Sequence, residues 1–431
     1  MSESYMEMWR GLGINIEAHD GLMGVLEKFY TDIYLSQQNR PVGMEYFDYL
    51  VSEIHGQRIK ELVGARKAGR KVIGAFCVYV PEELTIAVDA IQVGLCAGAD
   101  VGSESAEKIV PRNTCALIKA FIGFKLSGLC PYIEASDLVV GETTCDGKKK
   151  AYELFGEHVP MYVMEIPQRK ESIDRDLWKS EILRFKKELE KLTGRVISTD
   201  NLKKAIHVVN NKRKALQRLA DLRSADPAPI SGRDAILINQ MSFMDDPVRF
   251  TEKVHVLCGE LEKRIQEKTG AVPAGTPRVM LSGCPMAIPN WKVPFVIETS
   301  GAVIVGEESC VGTRNFGDLV DESCETMEEM LEALTDRYMQ INCACFTPNN
   351  ERLSQIVSQA KALKADGVIH YAITFCTPYE MEAFKAEKVL RDEGILFYPL
   401  STDYGMEDIE QIKTRVEAFV EMINGRVYGA V

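Results

Sequence analysis

Several common signatures are missing from these 431 residues, and each absence removes a class of chemistry. No GxxxxGKS or GxxxxGKT occurs, so no phosphate loop of that type is present and no nucleotide is expected on this chain. No GxGxxG opens a helix after a strand, which leaves an ordinary nicotinamide or flavin enzyme unsupported. There is no HExxH and there are only six histidines, so a zinc hydrolase is not indicated. No GxSxG nucleophile elbow appears. No run of about 18 apolar residues occurs, so no membrane-spanning helix is expected. The start, "MSESYMEMWRGLGINIEAHDG", has early acids and no apolar signal core. The expectation is therefore a cytoplasmic protein. Basic density is also lacking. A net charge of −12 with no dense basic block argues against a nucleic-acid binder.

What the chain does have is cysteine: Cys77, Cys96, Cys115, Cys130, Cys145, Cys258, Cys284, Cys310, Cys324, Cys343, Cys345 and Cys376. A disulfide framework does not suit a long chain without a secretion signal. Most of these thiols, Cys77, Cys96, Cys258, Cys284, Cys310 and Cys324 among them, read as small buried hydrophobes, and some of the others as metal or redox groups. Hydrophobic residues make up 46% of the chain and charged residues 26%, enough for sizeable cores.

The pattern of apolar residues divides the chain into four regions. Residues 1–66 space their apolar side chains at three and four, as helices do. Residues 67–170 alternate short apolar runs with helices. "KVIGAFCVYV" and "AIQVGLCAGA" read as strands, with Pro81 starting a helix between them. That order predicts a parallel sheet with crossover helices. Residues 171–276 read as a helical linker or insertion, with mixed charges on solvated faces and Ser198 or Thr199 as a cap. Residues 277–431 return to strand and helix. "PRVMLSGCP" and "GAVIVGEESC" each run from a strand into a cysteine loop. The expected class is α/β, with two Rossmann- or flavodoxin-like parallel sheets plus a helical region.

Two segments look alike. "DLVVGETTCDGKKKAYELF" and "DGVIHYAITFCTPYEMEAFKAEKVL" each run from an Asp through a strand to a cysteine and then a helix. Cys145 and Cys376 take equivalent places, at a strand's carboxyl end and a helix start, the edge where open α/β sheets bind ligands. Three lysines follow Cys145. Lys148, Lys149 and Lys150 could compensate an anionic thiolate cluster, or they could line an exposed helix turn. Iron–sulfur clusters are held by cysteine thiolates, but the compact ferredoxin spacings are absent. The ligands could instead come one from each of several distant loops. Cys376 and the pair Cys343/Cys345 are both candidates for such a site.

"PRNTCALIKA", "CPYIEASDLVVGETTCDGKKKAYELF", "LSGCP", "GEESCVGTR" and "FCTPYEMEAF…YPLSTDYG" resemble the 2-hydroxyacyl-CoA dehydratase and benzoyl-CoA reductase superfamily over roughly residues 70–425. "VGETTCDGKKK" resembles its double-cubane branch in particular. The resemblance implies a 4Fe–4S cubane held by three cysteines per subunit. It also implies two cubanes joined by sulfide into an 8Fe–9S cluster, and a separate ATP-hydrolysing activator protein with its own 4Fe–4S cluster. By the family motifs, Cys115 in "RNTC", Cys145 in "TTCD" and Cys376 in "FCTPY" match the ligands. Lys148 is the best placed cation, and Cys130 in "GLCPY" stands near the site. One cubane per subunit would make a homodimer whose two chains face each other across the cluster. The expected function is an oxygen-sensitive reductase of small unsaturated molecules, using low-potential electrons from the activator. One rival is a subunit of a 2-hydroxyacyl-CoA dehydratase. The other is a non-catalytic electron relay.

Overall fold

The computed structural model describes residues 3–95 and 97–428, so Cys96 lies outside the described residues. Two four-stranded sheets organise it. The first comprises β1 (Val72–Ala75), β2 (Ile91–Gly94), β3 (Leu138–Glu142) and β4 (Met161–Met164) in the order β2-β1-β3-β4. The second comprises β5 (Arg278–Gly283), β6 (Val303–Glu308), β7 (Gly367–Ile373) and β8 (Leu396–Thr402) in the order β6-β5-β7-β8. Every pairing in both is parallel. Helices cover both faces of such sheets, so the inner strands are buried along their whole length, as β1, β3, β5 and β7 are. That burial is why these strands read as unbroken apolar runs rather than alternating ones.

The shared order is flavodoxin-like. In it the chain leaves the first strand toward one edge and returns to build toward the other. The switch falls between β1 and β3, and again between β5 and β7. A crevice opens there at the carboxyl ends of the strands.

Long helices tie the two sheets together. Ser198 caps the helix Thr199–Leu222 by accepting from the Asn201 N–H, as the sequence suggested. This helix packs on Pro247–Gln266 and on Glu82–Ala87. Leu216, Leu219, Phe250 and Val254 join the same buried cluster as residues of both sheets. Between the helices Ser172–Thr193 and Thr199–Leu222 the chain turns at Gly194, whose φ of 69° suits glycine. The two strand-end faces meet directly. The Gly98 N–H donates to Ile288 O at 2.8 Å. A Cβ on Gly98 would lie 2.0 Å from Ala287 O, so only glycine permits this approach. The buried Glu83 accepts from Arg213 and Tyr338 at 2.7 and 2.8 Å, bridging the first sheet to the helices beside the second. Among the described residues no helix is long and apolar enough to cross a membrane.

A thiol-lined cavity between the two sheets

Cysteines recur at the strand ends. Cys77 follows β1, Cys145 follows β3, Cys284 follows β5, Cys310 follows β6 and Cys376 follows β7, each within three residues. Because both sheets turn their carboxyl ends toward one crevice, these loops converge. Cys115 reaches the same place from the start of the helix Ala116–Leu126, and Cys343 and Cys345 from the loop after Met327–Met339. Eight of the eleven described cysteines line one cavity of about 170 Å³. All eleven are free thiols.

The eight fall into two neighbourhoods. In the first, Cys115 adjoins Cys376, Cys376 adjoins Cys284, and Cys145 is near Cys115. In the second, Cys77 adjoins Cys310, Cys343 adjoins Cys345, and Cys310 is near Cys343. Each set takes thiols from both sheet regions. Cys115, Cys145 and Cys376, expected together from sequence, are brought together in the first set.

The sequence reading expected one set per chain, and packing roles for Cys77, Cys284 and Cys310. The structure differs. Those three line the cavity, and the Cys343/Cys345 pair belongs to a second set rather than competing with Cys376 for the first. The available signal was the repeated run of strand into cysteine in "KVIGAFC", "VMLSGC" and "VIVGEESC". Cys130 caps the short helix Pro131–Ala135 and does not line the cavity. Cys258 is buried within Pro247–Gln266, and Cys324 lies in a surface loop.

Local backbone geometry places the first set. Cys145 is the N-cap of Asp146–Phe155, and its sulfur accepts from the Lys148 N–H at 3.4 Å. Cys376 is the N-cap of Thr377–Asp392. Phe375 before it has a φ of 68°, a left-handed conformation costing a bulky residue roughly 1–2 kcal/mol. The turn brings the Cys376 N–H to Ile373 O at 2.8 Å. The sulfur of Cys284 accepts from the Ile373 N–H at 3.4 Å, which fastens β5's loop to β7.

The three lysines separate cleanly. Lys150 is exposed and pairs with Glu153, and Lys149 pairs with the exposed Asp146. Lys148 turns inward, is buried, and pairs with the fully buried Glu142. Glu142 also accepts from Thr144 at 3.0 Å and Tyr152 at 3.4 Å. Burial disfavours the Lys148 ammonium, but Glu142, Tyr152 and Cys77 more than offset this and hold it charged. Its charge acts on Cys145 of the first set and on Cys77 and Cys310 of the second.

A second cation serves the second set alone. Arg314 is buried, pairs with Glu308 at 2.8 Å and donates to the Cys310 sulfur at 3.5 Å. Glu308 is shared with Arg352, also at 2.8 Å, and the Tyr379 ring lies about 5 Å from both guanidinium groups. Tyr379 in turn meets the Cys343 sulfur at 3.6 Å. Cys77's side chain first, and then Arg314 and Lys148, hold Cys310 below the ordinary thiol range despite burial. Cys345's side chain, with Arg314 and Tyr379, pulls Cys343 down to about 6. The first set behaves oppositely. Cys376 and burial push Cys115 up; the Cys115 side chain draws Cys376 down, but Cys284 and burial together push it well up. Metal binding there must release protons.

Among the described residues no three His, Cys, Asp or Glu side chains converge tightly enough for a single metal ion. A polynuclear cluster makes a different demand. It takes about one thiolate per iron, so its ligands stand further apart than those of one ion. Thiol-only donor sets beside buried cations fit such a group.

The matching family is the 2-hydroxyglutaryl-CoA dehydratase D-component, over residues 77–423, and the chain belongs to it. The Escherichia coli (strain K12) protein YjiM, which bears the name of a dehydratase subunit, is 35% identical over 83% of this chain and 93% of its own length. The (R)-phenyllactyl-CoA dehydratase beta subunit of Clostridium sporogenes is 27% identical over 83% and 93%. A benzoyl-CoA reductase subunit of Thauera aromatica is 23% identical over 73% and 80%. The chain is thus a member of a family of dehydratase and reductase subunits.

Proposed function

We propose that this protein is an iron–sulfur reductase holding an 8Fe–9S double-cubane cluster, driven by an ATP-hydrolysing 4Fe–4S activator protein and acting on small unsaturated substrates. The observation that carries the reading is the number and grouping of the thiols. Eight cysteines in two sets line one cavity, more than a single three-ligand cubane uses. Cys115, Cys145 and Cys376 would hold one cubane, with Cys284 beside them. Cys77, Cys310 and the Cys343/Cys345 pair would hold the other. When bound, the cluster supplies low-potential electrons and irons that bind substrate.

The chain's own part is threefold. Strand-end loops fix the thiolates. Lys148 and Arg314 supply buried positive charge, which favours thiolates and an added electron. The apolar walls of the cavity keep water from competing. With no phosphate loop, ATP belongs to the activator. A homodimer is the proposed assembly. It is not needed to complete the cluster, because one chain carries both thiol sets.

The names of the relatives favour a second reading, a subunit of a 2-hydroxyacyl-CoA dehydratase. An anaerobic assay with activator, ATP and a strong reductant separates the two. Reduction of small unsaturated molecules by this chain alone supports the first reading. Water loss from a 2-hydroxyacyl-CoA, appearing only when a different subunit is added, supports the second.

A further inference from the structure

The cavity does not end at the thiols. It also takes in a compartment lined by Val80, Val93, Val209 and Phe243, with Lys212 among its lining residues. This compartment lies between the end of β2, the helix Thr199–Leu222 and the turn after Gly232–Met241. Its lining is mainly apolar, so a ligand there would be mainly apolar too. It is also small. The whole cavity, thiol end included, is about 170 Å³, below the roughly 300–1,000 Å³ that drug-sized ligands occupy.

Glu82, Gln92, Arg213 and Gln240 are polar residues of the same lining, and Lys212 adds an ammonium to them. Its side chain is 5% exposed. The ammonium donates to Glu82 at 2.5 Å and to Ser242 O at 3.4 Å, the latter long and weak. An ammonium has three N–H donors, so at least one is left over. A buried lysine paired with a carboxylate and lining a mainly apolar chamber is a directional donor with a hydrogen bond to give. Nothing in the thiol chemistry uses it.

We propose that this compartment is the substrate subsite, and that it selects short unsaturated molecules bearing a lone-pair acceptor at one end, the nitrile class, with Lys212 donating to that terminal atom. The inference rests on the reading that substrate is reduced in this cavity, and it names which substrates. Such a molecule places its acceptor at Lys212 and its multiple bond toward Cys77 and Cys310. A hydrocarbon of the same shape offers Lys212 nothing and leaves the donor unsatisfied. A buried hydrogen bond to a charged donor corresponds to a preference of roughly tenfold or more.

Acetonitrile and propyne form a matched pair, alike in shape and differing in the terminal acceptor. Their dissociation constants are measured on the anaerobically purified protein by saturation-transfer NMR, without activator or ATP, with the C≡N stretch recorded in parallel. Acetonitrile should bind roughly tenfold tighter or better, with its stretch shifted from the free value. In Lys212→Met/Glu82→Gln, which removes both members of the pair and so leaves no unpaired buried charge, that preference should collapse toward unity and the shift should vanish. Lys212→Arg, which keeps a donor and the Glu82 pair, should retain a preference above that of the double variant. Equal affinity of the two probes in the unsubstituted protein, or an unchanged preference in the double variant, overturns the assignment. Binding is read without turnover, so these outcomes stand whatever the iron content proves to be. Loss of the cluster reading alone would appear as low iron with the nitrile preference intact.

Discussion

Cys145 and Cys376 occupy the same station in two sheets of the same order. Each lies three residues past the end of the third strand, after Glu142 and Ile373, and each is the N-cap of the helix that follows. The likeness of "DLVVGETTCDG" and "DGVIHYAITFCTP" is therefore a likeness of position. The two regions face each other, and two equivalent thiols become neighbours in one cavity.

The two thiol sets should separate by mutation. Cys115→Ser, Cys145→Ser and Cys376→Ser should each lose about half of the iron, as should Cys77→Ser and Cys310→Ser. Cys258→Ser, buried in a helix away from the cavity, should keep all of it. Iron and sulfide analysis of each anaerobically purified variant checks this. Full iron in Cys376→Ser beside a colourless Cys345→Ser would reverse the assignment.

The three lysines should behave differently. Lys148→Gln removes a buried cation and leaves Glu142 facing the thiols, so the reduced state should be harder to reach by roughly 1 kcal/mol or more. Breaking a buried pair should also cost on the order of 3–5 kcal/mol of stability. Lys149→Gln and Lys150→Gln should leave the midpoint potential unmoved, because their charges sit in solvent and are screened. Redox titration followed by EPR, with thermal melts beside it, reads both effects.

The N-terminal helices should loosen in acid. His19 and His55 are buried with ring nitrogens 2.9 Å apart, and the Trp9 indole donates to His55 O at 2.7 Å. Burial lowers His19 to about 4 and, with His19 adding repulsion, His55 to about 3. Both folded values lie below the unfolded one, about 6.5. The unfolded chain therefore takes up protons first as pH falls. Stability is fully present above about 6.5 and declines toward pH 4, by on the order of 3 kcal/mol per ring. In His19→Leu/His55→Leu, the slope of stability against pH should flatten over that window. An unchanged slope in denaturant titrations would remove the histidines from the account.

Much of the fold was legible because parallel strands buried on both faces are short unbroken apolar runs, and the helices carry ordinary start signals at Pro81 and Ser198. Cys145 and Cys376 were legible for the same reason, each ending such a run. Cys115 was not. It begins a helix, has no strand before it, and stood out only through the family motif. Cys77, Cys284 and Cys310 carried the same strand-end signal as Cys145. What a single sequence does not contain is that the two sheets point their carboxyl ends at each other, and that contact turns five separate loops into one site. The Cys343/Cys345 loop follows a helix, so only the tertiary arrangement brings it in. The inward turn of Lys148 is likewise a matter of helix phase against Glu142, invisible in "KKK".

ATP should be the partner's business. The purified protein should not hydrolyse it, and turnover should need activator, ATP and reductant together. Full-rate reduction with reductant alone would contradict the gating.

Iron and acid-labile sulfide per chain, counted on anaerobically purified protein whose mass in solution is measured in the same sample, bear most directly on the two-set cavity. The account predicts about eight irons and nine sulfides per chain, whether the chain is a monomer or a homodimer. About four irons per chain, with Cys77→Ser and Cys310→Ser unchanged from the parent, would show that only the first set binds a cluster and would contradict the double cubane within one chain.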